Sequence, residues 1–492
     1  MKYLLGVALL ASSFIGYSQT QESLAKKYRG TITPETLKKQ LTIVAGPEME
    51  GRETATEGQR KAASYIENEM RSIGLKPGNG QSYQMIYPLY QDSLQAAEMI
   101  VNGKPLTLNK DFSVRIENYN ASLNFSEITF IDFEDTLWQK DHLKLTGKLA
   151  MIYSGKKPGR DAAATIAEHV SSLEKKGVAA VLVVENKFPL ATTESQLSKL
   201  RVQKFAPTQS INRYSISPEV FSAITGKTIA DTIGCKTYQA DIELKYSDSI
   251  LTKHSSNVLG ILEGTGQTDE YLLITAHYDH LGKKDTVIWY GADDDGSGTV
   301  AVLELARAFA KAKAEGHVVR KNILFMTVSG EEKGLLGSKY YSEHPVFSLD
   351  KASVNLNIDM IGRSDTLHPG TRSGNYIYVV GDDKLSSELP AIAKEANKDF
   401  KLELDPKFND PKDKQRIYYR SDHYNFAKKG VPAVFYYDGG TADYHRPTDT
   451  VDRIDFNLMT LRTRYIFTTA WLIANRNGIL KRDLELKGVG ER

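Results

Sequence analysis

The feature that most constrains the fold is an alternation of short apolar runs and helical patterns that begins near residue 257. The apolar runs, each bounded by polar residues or glycine, predict strands at 272–276, 323–328, 354–358, 376–380 and 431–436. Helical patterns lie between or after them, at 298–315, 335–342, 385–397, 423–428 and 457–475. Strands and helices in alternation build a sheet that is mostly parallel. We therefore predict an α/β fold with a mostly parallel mixed sheet flanked by helices.

A second α/β pattern precedes this one. Strand-like runs lie at 128–132, 147–153 and 177–184, and a helical stretch lies at 162–175 between the last two. Before them, residues 33–88 read as helical, most clearly over 55–74, where Gly74 is a stop signal. The change of character near residue 95 predicts two domains. Residues 19–95 and 250–492 would form one discontinuous domain, and residues 96–249 a smaller α/β domain inserted into it.

The first 18 residues have the pattern of a secretory signal peptide. Lys2 precedes a short apolar run, and the small residues Gly16 and Ser18 follow, which predicts cleavage after Ser18. The run is too short to span a bilayer comfortably, and no cysteine for a lipid anchor lies near the cleavage site. We expect a secreted or periplasmic protein without stable membrane insertion.

Composition excludes several classes of function. With 41% hydrophobic and 25% charged residues, the 492-residue chain has the balance of an ordinary globular protein. Its net charge of +2 gives no electrostatic reason to bind nucleic acid. The single cysteine, Cys235, excludes an intramolecular disulfide and a thiolate zinc site. The sequence leaves the oligomeric state open.

Five short motifs with metal-binding side chains lie at or just after predicted strands. They are Thr-Ala-His-Tyr-Asp at 275–279, Gly-Ala-Asp-Asp-Asp-Gly-Ser-Gly at 291–298, Ser-Gly-Glu-Glu-Lys-Gly at 329–334, Asn-Ile-Asp-Met-Ile at 357–361 and Asp-Tyr-His-Arg-Pro at 443–447. Open α/β sheets place their sites beyond the carboxyl ends of the strands. Histidine and carboxylate ligands suit zinc. The five motifs together predict a site for two metal ions around one water.

The first two motifs also have structural interpretations. His277 can be a hydrogen-bonded histidine at a strand end, with Asp279 orienting its ring. An acidic residue before a helix can be an N-cap. Three successive aspartates at 293–295 exceed what a cap needs, however, because their mutual repulsion favours a bound cation. One shared carboxylate would hold two cations about 3.5–4 Å apart.

The acids at the next two strand ends can likewise be read in two ways. One of Glu331 and Glu332 can bind metal while the other accepts a proton from water. Alternatively, both can lie in a solvated turn. Asp359 is costly at a strand end unless it is ligated or paired, for example with Arg363.

The last motif and its neighbourhood supply the remaining candidates. His445 is the expected ligand, with His423 as its competitor. Tyr444 can donate a hydrogen bond to a developing oxyanion, or it can simply pack. Asp422, in the cluster Arg-Ser-Asp-His at 420–423, is expected to cap a helix and to support the ligands.

The ordered set of motifs resembles the secreted zinc aminopeptidase family that also includes glutamate carboxypeptidase, transferrin receptor and animal glutaminyl cyclase. The resemblance covers roughly residues 33–95 and 250–475, and it implies the zinc exopeptidase fold with two Zn²⁺ per chain. It implies that one zinc is bound by His277, Asp294 and Asp359, and the other by Asp294, Glu332 and His445. It further implies Glu331 as general acid/base, Tyr444 as oxyanion donor and a cis peptide after Asp294. Apart from the resemblance, Asp279, Asp295 and Asp422 are expected to support the ligands.

The inserted segment resembles a protease-associated domain, through Gly-Lys-Leu-Ala-Met-Ile-Tyr at 147–153 and Lys-Gly-Val-Ala-Ala-Val-Leu-Val-Val at 176–184. Such a domain implies a lid or a substrate-selecting wall rather than chemistry.

These observations predict a zinc-dependent aminopeptidase that acts on the free N-terminus of peptide substrates. A carboxypeptidase or dipeptidase of the same family is an alternative, and it would need a basic patch, for which Arg416 and Arg420 are candidates. A glutaminyl cyclase with one zinc is another, although cyclases usually lack the inserted domain. A non-catalytic binding protein is less expected, because every ligand and the base are in place.

Overall fold

The computed structural model describes residues 21–114, 116, 120–139, 143–155, 160–188, 197–205, 211–231, 234–368 and 375–486. The predicted signal peptide lies outside the described residues. The chain divides into two compact units, Met1–Pro88 with His254–Arg492, and Leu89–Lys253. Two long strands, Gln84–Val101 and Lys236–Leu262, carry the chain from one unit to the other.

The first unit is built on a mixed sheet whose centre is parallel. Its strands, in order across the sheet, are Glu403–Asp405, Tyr376–Val380, Ala433–Tyr437, Ala352–Ile358, Tyr271–His277, Asn322–Val328 and the end of Lys236–Leu262. Neighbours pair in parallel except Tyr376–Val380 with Ala433–Tyr437, and Asn322–Val328 with the end of Lys236–Leu262. The prediction of an α/β fold with a mostly parallel sheet is confirmed.

The central strands are buried because helices cover both faces of this sheet. Every residue of the strands Tyr271–His277 and Ala352–Ile358 is buried, which explains why these strands read as continuous apolar runs. The helices of the first unit are Pro34–Val44, Glu57–Ile73, Gly298–Ala314, Leu336–Glu343, Leu389–Ala396, His423–Ala427 and Phe456–Asn475. Trp471 of the last helix stacks on Phe309 with ring centroids 5.7 Å apart.

The second unit is a smaller α/β structure. Its main strands are Phe112–Val114, Ala121–Phe130, Leu149–Tyr153, Ala180–Val184, Asn212–Ile216 and the beginning of Lys236–Leu262, and its longer helices are Arg160–Lys175 and Pro218–Thr225. The four strands from Ala121–Phe130 to Asn212–Ile216 are parallel. Separate hydrophobic clusters cover the two faces of this sheet.

One prediction is wrong. The helical pattern expected over 33–88 ends with the helix Glu57–Ile73, because Gly74 takes the left-handed conformation at φ 88° and stops it. From Gln84 to Val101 the chain is a strand with interrupted burial. No helix among the described residues is long and apolar enough to cross a membrane.

Candidate metal centre

Three of the predicted ligands meet at the carboxyl ends of neighbouring parallel strands. His277 is the last residue of the strand Tyr271–His277, and Asp359 directly follows Ala352–Ile358. The imidazole Nε2 of His277 lies 3.2 Å from Oδ1 of Asp294 and 3.6 Å from Oδ1 of Asp359. All three side chains are buried.

A second group shares Asp294 with the first. His445 Nε2 lies 3.1 Å from Oδ2 of Asp294 and 3.2 Å from Oε2 of Glu332. One oxygen of Asp294 therefore faces His277 and the other faces His445. This is the arrangement that a carboxylate bridging two cations requires.

A histidine that the sequence analysis missed also faces the second group. His280 is fully buried, and its Nδ1 lies 2.9 Å from Oε1 of Glu332 and 3.9 Å from Oδ2 of Asp294. Neither ring nitrogen of His280 nor Oε1 of Glu332 has a hydrogen-bond partner within the described part of the chain. The second histidine of the run 277–280 was the available signal, since it lies three residues after an expected ligand.

The residues present fit zinc. Ligand atoms bound to one tetrahedral zinc at about 2.0–2.2 Å lie about 3.3–3.6 Å apart, close to the 3.1–3.6 Å separations in the two groups. Buried polar atoms without hydrogen-bond partners are costly, and Nδ1 of His280 and Oε1 of Glu332 are two such atoms, which lie 2.9 Å apart. A cation bound between these groups would remove that cost.

The pKa shifts in the two groups reflect burial opposed by neighbours of opposite charge. Burial alone would lower the pKa of His277, but the charges of Asp359 and Glu331 raise it well above its ordinary value. Burial likewise opposes ionisation of Asp294, yet hydrogen bonds with His277 and His445 hold its pKa far below the usual range. Asp294 is therefore an anion. Because protons and metal compete for these ligand atoms, metal affinity should fall at low pH.

Glu331 lies beside the first group without belonging to either group. Its Oε2 is 4.0 Å from Nε2 of His277, and its backbone N–H donates to Oδ1 of Asp279 over 3.2 Å. Burial and the nearby charges of Glu332 and Asp359 raise the pKa of Glu331 well above its ordinary value. A carboxylate with a raised pKa beside a metal site suits proton transfer.

Tyr444 lies beside the second group. Its ring stacks on His445 with centroids 3.9 Å apart, and its hydroxyl oxygen accepts a 3.2 Å hydrogen bond from Arg420. Burial raises the pKa of Tyr444, so that the phenol stays protonated. A small cavity of about 30 Å³ opens here, lined by Glu331, Asp359, Met360, Ile417, Arg420, Phe435, Tyr437 and Tyr444.

Asp279 and Asp295 hold the ligand-bearing loops. Asp295 accepts from the backbone N–H groups of His277 at 3.1 Å, Gly298 at 2.9 Å and Met360 at 3.0 Å, which ties three segments together. The peptide bond between Asp294 and Asp295 is cis, as the resemblance implies. The backbone carbonyl oxygen of Asp279 lies 3.1 Å from Nδ1 of His277 and fixes its ring.

The expectation that Asp422 caps a helix is wrong. Asp422 precedes the helix His423–Ala427, but its own backbone is already helical, with φ −60° and ψ −27°, and its side chain makes no cap hydrogen bond. Burial raises its pKa to about 7. Ser421 contacts a predicted ligand directly, because its Oγ donates to Oδ2 of Asp359 over 2.6 Å. A supporting role for Asp422 stays a prediction. His423 joins neither metal group and packs against the rings of Tyr418 and Phe435.

Arg52 was also missed, and it connects the segments that carry the ligands. Its guanidinium is fully buried and donates only to backbone carbonyls, at distances of 2.7–2.9 Å, which belong to Val44, Tyr278, Tyr290 and Gly291. Tyr278 follows His277, and Gly291 begins the loop of Asp294. No sequence signal pointed to Arg52, because the positive φ angles of Glu50, Gly51 and Arg52 are visible only in the structure.

Comparison with known proteins relates this centre to a peptidase family. Residues 257–470 match peptidase family M28. Over this segment the chain is similar to M28 peptidases. The matched M28 segment contains all five predicted metal ligands together with Glu331 and Tyr444.

Similar proteins include the aminopeptidase YwaD of Bacillus subtilis (strain 168), which is 26% identical over 359 residues, 71% of this chain and 67% of the relative. A probable zinc metalloprotease of Pyrenophora tritici-repentis is 28% identical over 260 residues, 44% of this chain and 51% of the relative. Among solved structures, an aminopeptidase from an Aneurinibacillus species is 20% identical, with a TM-score of 0.56 over 93% of this chain and 98% of that structure. The last similarity supports the fold.

Proposed function

We propose that this chain is a zinc-dependent aminopeptidase that uses two Zn²⁺ ions. The observation that carries the proposal is the position of Asp294, whose two carboxylate oxygens lie 3.2 Å from His277 and 3.1 Å from His445. In the proposed site, His277 and Asp359 complete one zinc site, and Glu332 and His445 complete the other. His280 is the additional candidate for the second zinc, because it faces the same carboxylates.

Zinc bound in these two groups would lower the pKa of a water molecule and polarise the scissile carbonyl. Glu331 is placed to take the proton of the attacking water and to return it to the leaving amine, a role typically worth about 10²–10⁴ in rate. Tyr444 is placed to donate its hydroxyl hydrogen to the oxyanion that forms at the carbonyl. Asp295 and Ser421 keep the ligand loops in position through the hydrogen bonds described above.

The charges around the cavity favour an aminopeptidase over a carboxypeptidase. Its lining residues include two carboxylates, Glu331 and Asp359, and no cluster of basic residues that could bind the C-terminal carboxylate of a substrate. Arg420 is the single cation among the lining residues and already donates to Tyr444. Arg416, the other basic candidate, packs over the ring of Tyr419 at 4.8 Å and is not in the lining. The name of the Bacillus subtilis relative agrees with this choice.

The requirement for a free N-terminus tests the proposal. Purified protein should hydrolyse amino-acid p-nitroanilides and free peptides, and it should release residues from the N-terminus. The same substrates with an acetylated N-terminus should be inert. Equal cleavage of both forms, or release of residues from the C-terminus, would rule out an aminopeptidase. Conversion of N-terminal glutamine to pyroglutamate would instead identify a cyclase.

We further propose that residues 1–18 are a cleaved signal peptide and that the inserted segment is a protease-associated domain. The charged start with its short apolar run supports the first, and the parallel α/β structure of the second unit supports the second. A native protein whose intact mass begins near Gln19 supports cleavage, whereas retention of residues 1–18 contradicts it. Deletion of the insert should change substrate preference while leaving zinc binding intact.

A further inference from the structure

A cluster of histidine and carboxylate side chains lies outside the proposed catalytic residues, at the edge of the sheet in the first unit. It consists of His368, Glu403 and Asp405, whose potential ligand atoms all lie within 4.8 Å of one another. Glu403 and Asp405 belong to the edge strand Glu403–Asp405. Side chains two residues apart in a strand point to the same face, so both carboxylates extend toward the histidine from one side of the sheet.

The ring of His368 is held in a fixed orientation. It stacks on Tyr376 with centroids 3.7 Å apart and an angle of 12°, and its Nδ1 lies 2.9 Å from Oδ1 of Asp365. Asp365 is itself fixed, because its Oδ2 accepts a 2.7 Å hydrogen bond from Tyr378. A carboxylate behind one ring nitrogen selects the tautomer whose other nitrogen can bind a metal.

The second ring nitrogen faces more negative charge. Nε2 of His368 lies 3.2 Å from Oδ2 of Asp405. A neutral imidazole has only one N–H, and a carboxylate only accepts. Contact with carboxylates at both nitrogens therefore requires either a second proton or a cation between Nε2 and Asp405. The separation of 3.2 Å is close to the roughly 3.3–3.6 Å between two ligands of a tetrahedral zinc.

The carboxylate of Glu403 favours a bound cation over a second proton on His368. An imidazolium between Asp365 and Asp405 would need no further acid, yet Glu403 also directs a carboxylate to this point. Glu403 is exposed, so a rotamer change can adjust its distance. We propose that His368, Glu403 and Asp405 bind one zinc-like divalent metal ion, separate from the catalytic pair, with Asp365 orienting the histidine. The ion would fasten the edge strand to the segment 365–368.

Metal counting tests this site without relying on peptidase activity. The full chain and its variants are equilibrated with excess Zn²⁺, desalted and analysed by inductively coupled plasma mass spectrometry. His368→Gln should hold one zinc per chain fewer than the wild type. His344→Gln should match the wild type, because the His344 ring lies beside Tyr340 on an exposed surface. Equal zinc content in the wild type and His368→Gln would overturn the proposal.

A second variant guards against misfolding of the first. Glu403→Gln changes an exposed side chain, so the fold should persist, and the affinity of the weakest zinc should fall by about tenfold or more. Unchanged affinity would contradict the assignment of Glu403. Hydrolysis of p-nitroanilides by His368→Gln should stay at the wild-type rate. This result would separate the third site from the catalytic pair, so that failure of one proposal does not imply failure of the other.

Discussion

The guanidinium of Arg420 donates a 3.2 Å hydrogen bond to the hydroxyl oxygen of Tyr444. A guanidinium has no acceptor, so this contact uses a lone pair of the tyrosine and leaves its hydroxyl hydrogen free to donate elsewhere. Tyr444 lines the same cavity as Glu331 and Asp359. The pair therefore presents the donor that the proposed mechanism needs.

Removal of the Tyr444 hydroxyl should impair turnover more than binding. We expect Tyr444→Phe to lower kcat by about 10²–10³ with little change in KM, because the lost donor acts on charge that develops in the transition state. Zinc content should be unchanged. Steady-state kinetics beside metal analysis measure both, and a fall in zinc content would show that the tyrosine acts on the ligands instead.

Arg420→Met should give a smaller version of the same defect. The expected fall in kcat is about tenfold, which corresponds to one net hydrogen bond to a charged group of about 1.5 kcal/mol. Arg416→Met is the matched control, since Arg416 packs over Tyr419 and does not reach Tyr444 through any contact in the described chain. Equal loss in both variants would indicate a general charge effect.

Arg52 should be essential for the shape of the metal centre. Arg52→Met keeps the volume but removes the donors to four buried carbonyls, and each buried acceptor left without a partner costs about 1–3 kcal/mol. We expect a lowered free energy of unfolding and weaker zinc binding, measured by denaturant titration and chelator competition. Arg60→Met is the control, because Arg60 is exposed and pairs only with Glu57 among the described contacts, and it should change stability by less than about 0.5 kcal/mol.

The sequence predicted the parts of this protein that depend on local pattern. Strands near 271–277, 322–328 and 352–358 were found because they are buried on both faces and read as apolar runs. The residues now grouped around Asp294 were found because acids and histidines follow those strands. We predicted that they lie together because the carboxyl ends of parallel strands meet at one edge of a sheet.

Features that depend on distant contacts were not predictable in this way. Arg52 donates hydrogen bonds to backbone carbonyls as far as 239 positions away in the sequence. No residue near Arg52 in the sequence indicates these partners. Asp422 makes no side-chain cap, because its backbone is helical and not extended, and the hydrogen bond from Ser421 to Asp359 joins residues 62 positions apart. Residues 84–88, which begin the strand Gln84–Val101, were misread as helix because the burial of this strand does not alternate regularly.

The pH dependence of stability should identify His423 as a core residue. Burial lowers its pKa to about 3 from an ordinary value near 6.5. The unfolded chain therefore binds a proton below pH 6.5 that the folded chain excludes. Stability from the neutral ring is fully present above the unfolded pKa and is lost as pH falls toward the folded one, by about 1.4 kcal/mol per pH unit.

His423→Phe should remove this dependence. The difference in the free energy of unfolding between the variant and the wild type should shift in favour of the variant as pH falls from about 6.5 to about 4.5, by about 2–3 kcal/mol. Other titrating groups are common to both proteins and cancel in the difference. Zinc content should be equal in the two proteins. Loss of a zinc in the variant would instead make His423 a ligand.

The central claim is that Glu331 moves the proton while Glu332 holds a metal. Its most direct test is the zinc content of Glu331→Gln and Glu332→Gln, measured on the samples used for steady-state kinetics. The account predicts that Glu331→Gln keeps the wild-type zinc content while its kcat falls by about 10²–10⁴, and that Glu332→Gln loses a zinc. If Glu331→Gln loses a zinc and Glu332→Gln keeps the full content, or if Glu331→Gln changes kcat by only a few-fold, the assignment is contradicted.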